Sequence, residues 1–349
     1  MKILLIAPCF GAYGGIETFV LRLAQQIHQK DHEVVVVFKK VKGFELKKSL
    51  VEKSQENPAE IIFMNRFSLK MVRLLRQQDL VHTHNPLIEA IFICRIFQIP
   101  VVTTIYNWCR RDFSVRPVLW RIANHFTLRS WYISEFVWDS WEPRNRCKTS
   151  DRLPIISELP DGFTPLSERK GFVFVSRWIE NKGLRLLIQA YRTAEINPRD
   201  WPLTLIGDGP LKEEVLEDLE KNPCKSIEIT GFISSEERNM RIRNAKWMVT
   251  PPNTKEDLGL TPLEARNVSV PCIVSKDGGL IETGGKGSIW CEPGKVESLR
   301  DALEQAASLS ENAYRAFAKQ TQEGLGFYIS SLDIYISEYR KVVSERMPK

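Results

Sequence analysis

The chain has 349 residues, 43% of them apolar and 26% charged, and a formal net charge of +6. That length suits two domains better than a single core, and the composition excludes a disordered chain. No apolar run approaches the roughly 20 residues that a membrane-spanning helix needs, so the sequence reads as a soluble globular protein.

The opening "MKILLIAP" has one lysine and a short apolar run, followed by "CFGAYGGIE" with no small-residue cleavage pattern. It reads as a buried first strand, Lys2–Ala7, rather than a signal peptide. A helix is expected over Glu17–Lys30, with Phe19, Leu21, Leu23, Ala24 and Ile27 on its apolar side. Further strands are expected at Glu33–Phe38, Glu60–Met64, Leu80–His84, Val101–Ile105 and Trp131–Ser134. A polar, proline-containing segment, "SELPDGFTPLSERKG" (157–171), then separates the halves. Beyond it the alternation restarts, with strands at Phe172–Val175, Leu203–Gly207, Ile227–Thr230, Trp247–Thr250, Cys272–Ser275 and Ser288–Trp290. Helices are expected between them at Gly183–Ala194, Leu211–Glu220 and Ser235–Ala245, and the tail from Glu311 is helical in character. Strand–helix alternation predicts parallel sheets with helices on both faces. Two α/β Rossmann-like domains follow, with boundaries at 1–160 and 161–325 and a closing helix, 326–349, packed back on the first domain. In such sheets ligands bind beyond the carboxyl ends of the strands.

Charge is uneven. Residues 1–150 carry 22 Lys and Arg against 13 Asp and Glu, and the remainder carries 27 against 30. A first half at +9 suits scattered solvated lysines or, more sharply, an anionic partner such as a phosphorylated acceptor or a membrane surface. No nucleic-acid motif accompanies the charge, so nucleic acid is not expected. The seven cysteines are an odd, scattered set without CxxC, which predicts reduced thiols and a cytoplasmic protein with neither disulfide framework nor zinc site.

The strand ends carry the chemistry. In "FGAYGGIE", Gly14 and Gly15 would let backbone pass close to a ligand at a helix start. In "SRWIENKG", Arg177 and Lys182 stand at a strand end as two cations able to neutralise a diphosphate. "IGDGP" (206–210) is a strand-to-helix turn with Asp208 as a cap, and "KDGGLIE" (276–282) places Gly278 and Gly279 after another strand. His82 and His84 of "HTHNP" share one face of a strand and are expected to hydrogen-bond at the strand end; no third ligand at metal spacing is visible. "TPPNTKEDLGLTPLEARN" (250–267) holds Glu256 and Glu264, with Pro262 placed for the first turn of a helix that would carry Glu264 inward. There is no D-x-D, GxSxG or Walker A sequence.

Taken in order, GGIE, SRWIENKG, IGDGP, GFIS, Glu256-x7-Glu264 and VPCIVSKDGG resemble glycosyltransferase family 4, the retaining GT-B group, most strongly over 171–294. The resemblance implies GT-B architecture, two Rossmann-like domains facing across a cleft. It implies a retaining hexosyltransferase taking a nucleotide-diphosphate sugar, UDP- or GDP-linked, to a sugar or lipid-linked glycan acceptor in bacterial surface polysaccharide or glycoconjugate synthesis. By the same resemblance, Arg177 and Lys182 match the pair on the donor diphosphate, Glu256 the residue near the transferred sugar, and Glu264 the residue on the ribose. Gly15 matches the first-domain loop that approaches the donor phosphates, and Gly259, Leu260 and Thr261 match backbone near phosphate and sugar. Tyr106 and Asn107 stand where the family commonly has a His-Asp pair, and with His84 they are candidate sugar or acceptor contacts. A tyrosine there can still hydrogen-bond a sugar hydroxyl but cannot titrate near neutrality. A serine common before the first glutamate is replaced in "PPNTKED". No cofactor or metal is expected, because the cations would supply the charge that a metal brings. A nucleotide-sugar 2-epimerase and a degenerate nucleotide-sugar-binding scaffold stay open as alternatives. The expected location is the cytoplasm, with peripheral contact at the inner face of an anionic membrane through the basic half.

Overall fold

The computed structural model describes every residue except 12–14, 66–67, 111–114, 156–158, 225 and 346–349. Gly14 therefore lies outside the described residues. The chain divides into two compact units, Met1–Ser157 with Ser330–Lys349, and Glu158–Ile329.

The first unit is built on β1 (Lys2–Cys9), β2 (Glu33–Lys40), β3 (Glu60–Met64), β4 (Leu80–His84), β5 (Val101–Ile105), β6 (Arg129–Tyr132) and β7 (Ser150–Arg152). They form one sheet in the order β3-β2-β1-β4-β5-β6-β7, with every pairing parallel. The central strands are near-continuous apolar runs, as strands covered on both faces must be. Ile3, Leu4, Leu5, Ile6 and Ala7 of β1 are fully buried, which accounts for the opening run as core. The helix Ile16–Gln29 lays Phe19, Val20, Leu23, Ala24 and Ile27 inward.

The second unit holds β8 (Lys170–Val175), β9 (Leu203–Ile206), β10 (Ile227–Gly231), β11 (Ala245–Thr250), β12 (Cys272–Ser275) and β13 (Ser288–Cys291). Their order is β10-β9-β8-β11-β12-β13, again all parallel. Each sheet reverses its strand order once, between β1 and β4 in one and between β8 and β11 in the other. Those are the switch points at which doubly wound sheets bind ligands.

Two details differ from the sequence reading. Strand β7 was not foreseen: it is a short polar edge strand. The polar segment at 157–171 is more than a separator, because from Leu159 its residues are built into the second unit. Arg169 is fully buried, and its guanidinium donates to the carbonyls of Thr164, Ser269 (2.6 Å) and Val268 (2.8 Å). Asn267 donates to the Pro160 carbonyl at 2.8 Å.

Candidate functional site

The loop after β8 and the loop after β11 meet at the second unit's switch point. Gly183 lies in the left-handed region at φ 75°, and a Cβ there would fall 1.9 Å from the Pro251 carbonyl oxygen. Only glycine permits that approach. The same seam is closed by Asn253, whose backbone N–H donates to the Asn181 carbonyl (3.2 Å) and whose side chain donates to the Glu180 carbonyl (3.2 Å). Across it, the Lys182 ammonium reaches both carboxylate oxygens of Glu256 at 2.7 and 2.8 Å. The two side chains keep 21% and 15% of their surface exposed, so the pair is shielded yet reachable. An ammonium has three N–H donors, and this geometry directs two at Glu256. Arg177 is exposed and, among the described residues, makes no side-chain hydrogen bond or ion pair.

The Glu256 loop is fixed from below by the glycine pair after β12. Gly279 N–H donates to the Glu256 carbonyl at 2.8 Å. A Cβ on Gly278 would lie 2.4 Å from that same oxygen, and one on Gly279 would lie 2.5 Å from the Asp257 carbonyl. Thr283 Oγ1 donates to the Leu258 carbonyl at 2.9 Å. The loop ends at Gly259 (φ 86°), which starts the helix Leu260–Asn267. Leu260 and Thr261 form its first turn, with Thr261 Oγ1 3.3 Å from Thr250 Oγ1 on β11. Pro262 sits in that turn, where an N–H would lack an intrahelical partner. One turn on, Glu264 is buried. The turn at 206–210 packs behind: a Cβ on Gly207 would meet the Ser176 carbonyl at 1.9 Å. Asp208 Oδ1 accepts from the Gly209 N–H at 2.7 Å, so it caps its own turn rather than a helix. The structure thus brings Arg177, Lys182, Glu256, Gly259, Leu260, Thr261 and Glu264 to one switch point. Sequence reasoning gave no role to Asn253 or Thr283, whose neutral polar side chains carry no signal until the loops are placed.

The first unit's switch point has a different character. His82 and His84 are fully buried, with ring centroids 4.2 Å apart. His82 Nδ1 lies 2.7 Å from the Tyr339 hydroxyl and Nε2 lies 2.8 Å from Thr104 Oγ1. His84 Nδ1 lies 2.8 Å from the Tyr106 hydroxyl, and His84 Nε2 has no partner among the described residues. Burial lowers both imidazoles, with His84 next to His82 lowering the latter further; His84 falls to about 3. Burial chiefly, and then Tyr335, Tyr339 and Glu17, push the Tyr106 phenol well above its ordinary range. Tyr106 and His84 are therefore interior and held to each other, while Asn107 is exposed, its carbonyl accepting from Trp141 at 2.7 Å. Gly15 (φ 56°, ψ −117°) starts the first helix, and among the described residues nothing lies within 4 Å of where its Cβ would be, so the positive φ is what favours glycine there. Glu17, two residues on, is buried and accepts from the Phe10 N–H at 2.7 Å, fixing the turn after β1.

Family models match on both units. "Glycosyl transferases group 1" covers 158–324, and "Glycosyltransferase Family 4" covers 13–138. The chain belongs to the family 4, group 1 glycosyltransferases. Among curated relatives, this glycosyltransferase is 21% identical over 181 residues to O-antigen chain mannosyltransferase C of Escherichia coli, half of this chain and 47% of that one. It is 28% identical over 133 residues to an uncharacterized glycosyltransferase of Methanocaldococcus jannaschii, 38% of this chain and 36% of that one. The chain thus spans less than half the length of these relatives. Its fold matches the structure of Anabaena HepE in complex with UDP and glucose, at a TM-score of 0.76 and 16% identity over 99% of this chain and all of that one. Among the described residues, no group of three His, Cys, Asp or Glu side chains is placed to hold a metal ion, and no helix is long and apolar enough to cross a membrane.

Proposed function

We propose that this chain is a retaining hexosyltransferase that uses a nucleotide-diphosphate sugar, UDP- or GDP-linked, and a sugar or lipid-linked glycan acceptor. Its setting would be surface polysaccharide or glycoconjugate synthesis at the inner face of a bacterial membrane. The observation that carries the reading is the Lys182–Glu256 pair, with Arg177 exposed on the same loop as Lys182 and the helix Leu260–Asn267 starting at the end of the Glu256 loop. In this reading Lys182 keeps Glu256 with two N–H donors and offers the third to a phosphate oxygen. Arg177 and the first N–H groups of the helix take the charge that builds as the diphosphate departs. Glu256 faces the positive charge at the anomeric carbon, and Glu264 faces the ribose. The anomeric carbon loses its bond to the phosphate oxygen and gains one to the acceptor oxygen on the same face. The acceptor proton passes to the departing phosphate, so no protein base is required. This suits a chain whose Tyr106 and His84 are buried and bound to each other. The bound UDP of HepE makes a UDP-sugar the first donor to try.

The test is a thermal-shift screen with UDP-, GDP- and ADP-sugars, followed by NMR of the product's anomeric configuration. A bound donor raises apparent stability by mass action. Retention supports the proposal, and inversion contradicts it. Donor binding without transfer or hydrolysis would leave a nucleotide-sugar-binding scaffold, and a changed donor sugar without acceptor would indicate an epimerase.

A further inference from the structure

The helix Arg116–His125 turns an apolar stripe outward. Its buried side is narrow, formed by Trp120 and Ala123. Val115, Val118, Leu119 and Ile122 follow the i, i+3, i+4, i+7 spacing that lines one helix face. They are 67%, 54%, 43% and 46% exposed. The neighbouring helix Ile88–Ile96 extends the stripe: Phe92 meets Phe126 with ring centroids 5.2 Å apart, and Ile96 and Phe97 are exposed beyond it. An outward apolar face of this extent marks an interaction surface rather than scattered exposure.

Among the described residues of this stretch the charges are almost all positive. From Ile88 to His125 the described residues include four arginines, Arg95, Arg110, Arg116 and Arg121, no lysine, and a single acid, Glu89, which is paired with Lys39. Among the described residues none of those arginines has a carboxylate partner. The Arg116 guanidinium lies over the Trp120 ring at 4.5 Å, and that of Arg121 lies 5.8 Å from the Trp141 ring and donates to Cys109 Sγ at 3.6 Å, while both residues stay exposed to solvent. On the helix, Arg116 flanks one side of the stripe and Arg121 with His125 flank the other. An apolar face bordered by cations fits the boundary between acyl chains and anionic headgroups. A protein partner or a second copy would need acids to meet these arginines.

We propose that this face docks the chain onto an anionic phospholipid surface, with Val118, Leu119 and Ile122 entering the acyl boundary and Arg95, Arg116 and Arg121 meeting the headgroups. The inference deepens the reading of a transferase working at a membrane and rests on it for its biological sense, but its test needs no turnover. The full-length protein is floated with vesicles of phosphatidylglycerol and phosphatidylcholine, and with phosphatidylcholine alone. Binding to the anionic vesicles only, weakening as salt rises, is expected. A Leu119→Asp, Ile122→Asp double variant should bind at least tenfold more weakly. Arg95→Gln with Arg116→Gln should lose roughly fivefold per arginine. Both variants change exposed side chains, and an unchanged melting temperature and donor-induced thermal shift certify the fold. Absence of binding to anionic vesicles, or equal binding by the aspartate variant, overturns the proposal. So does a concentration-dependent dimer in sedimentation that the aspartate variant abolishes, which would make the face an interface between copies. Loss of the donor shift in the wild type would count against the transferase reading and leave the vesicle result standing.

Discussion

The two units share a strand order and differ in what they place at its reversal. In the second unit the residues there are charged, partly exposed and held by backbone contacts between loops: Lys182 on Glu256, with Arg177 exposed and without a side-chain partner among the described residues. In the first unit the corresponding strand ends bury a neutral network of His82, His84, Thr104, Tyr106 and Tyr339. One topology thus presents a paired and partly exposed set of charges in one unit and a buried imidazole and hydroxyl network in the other. The difference teaches that a shared topology fixes where strands end, while loop composition decides which side chains stand there.

The largest expected effect breaks the charged side. In the proposed mechanism Lys182→Ala removes one stabiliser of a developing oxyanion, so turnover should fall on the order of 10²–10³-fold, about 3 kcal/mol, and the melting temperature should fall as well because the shielded Glu256 loses its partner. Steady-state kinetics within a few-fold of wild type would place the phosphate elsewhere. Next, Gly183→Ala should cost about 2 kcal/mol or more, since an alanine is strained at positive φ and its Cβ would overlap the Pro251 carbonyl. Urea unfolding measures it, and an unchanged midpoint would mean that the two loops do not hold each other as described.

The neutral network should show itself in acid. His82 and His84 have folded-state pKa values below the unfolded value near 6.5. Unfolding therefore takes up protons once the pH drops below about 6.5, so their contribution is complete above that pH and is lost as the pH falls toward His84's folded value of about 3. Each histidine should contribute up to about 1.4 kcal/mol per pH unit in that window. Urea midpoints at pH 7.5 and 5.5 check the slope, and His84→Asn should reduce it by about half. A flat profile from 7.5 to 5.5 would mean that these imidazoles are not buried neutral.

The smallest effect separates the glutamates. Glu264→Ala should weaken donor binding about tenfold, because a ribose contact exists before and during reaction. Glu256→Gln should lower turnover more than affinity. Equal losses of affinity, with no turnover defect specific to Glu256, would contradict the assignment.

Much of the fold was legible because buried parallel strands are continuous apolar runs. The expected bounds of β3, β4, β5 and β12 coincide with the observed ones. Strand β7, Ser150–Arg152, was missed because an edge strand of three polar residues has no periodic signal. The burial of Arg169 was invisible because two of its three carbonyl partners lie 99 and 100 residues away. At the site, motif order picked out Lys182 and Glu256, but their direct pairing spans 74 residues and depends on β8 lying beside β11. Tyr106 was placed correctly at a strand end. Its inward direction follows from the two-residue period it shares with Thr104, on the face where Tyr335 and Tyr339 of the helix Asp333–Glu345 pack. That helix is remote in sequence, so the burial of Tyr106 could not be read locally.

The central claim is that cations of the second unit, without a metal, hold the donor diphosphate. Isothermal titration of UDP-glucose and GDP-mannose, in excess EDTA, into the wild-type protein and an Arg177→Ala, Lys182→Ala variant tests it most directly. At least one donor is expected to bind the wild type in EDTA, with the same donor's heat lost in the variant. Undiminished binding by the variant, or binding that EDTA abolishes and Mg²⁺ or Mn²⁺ restores, would contradict it.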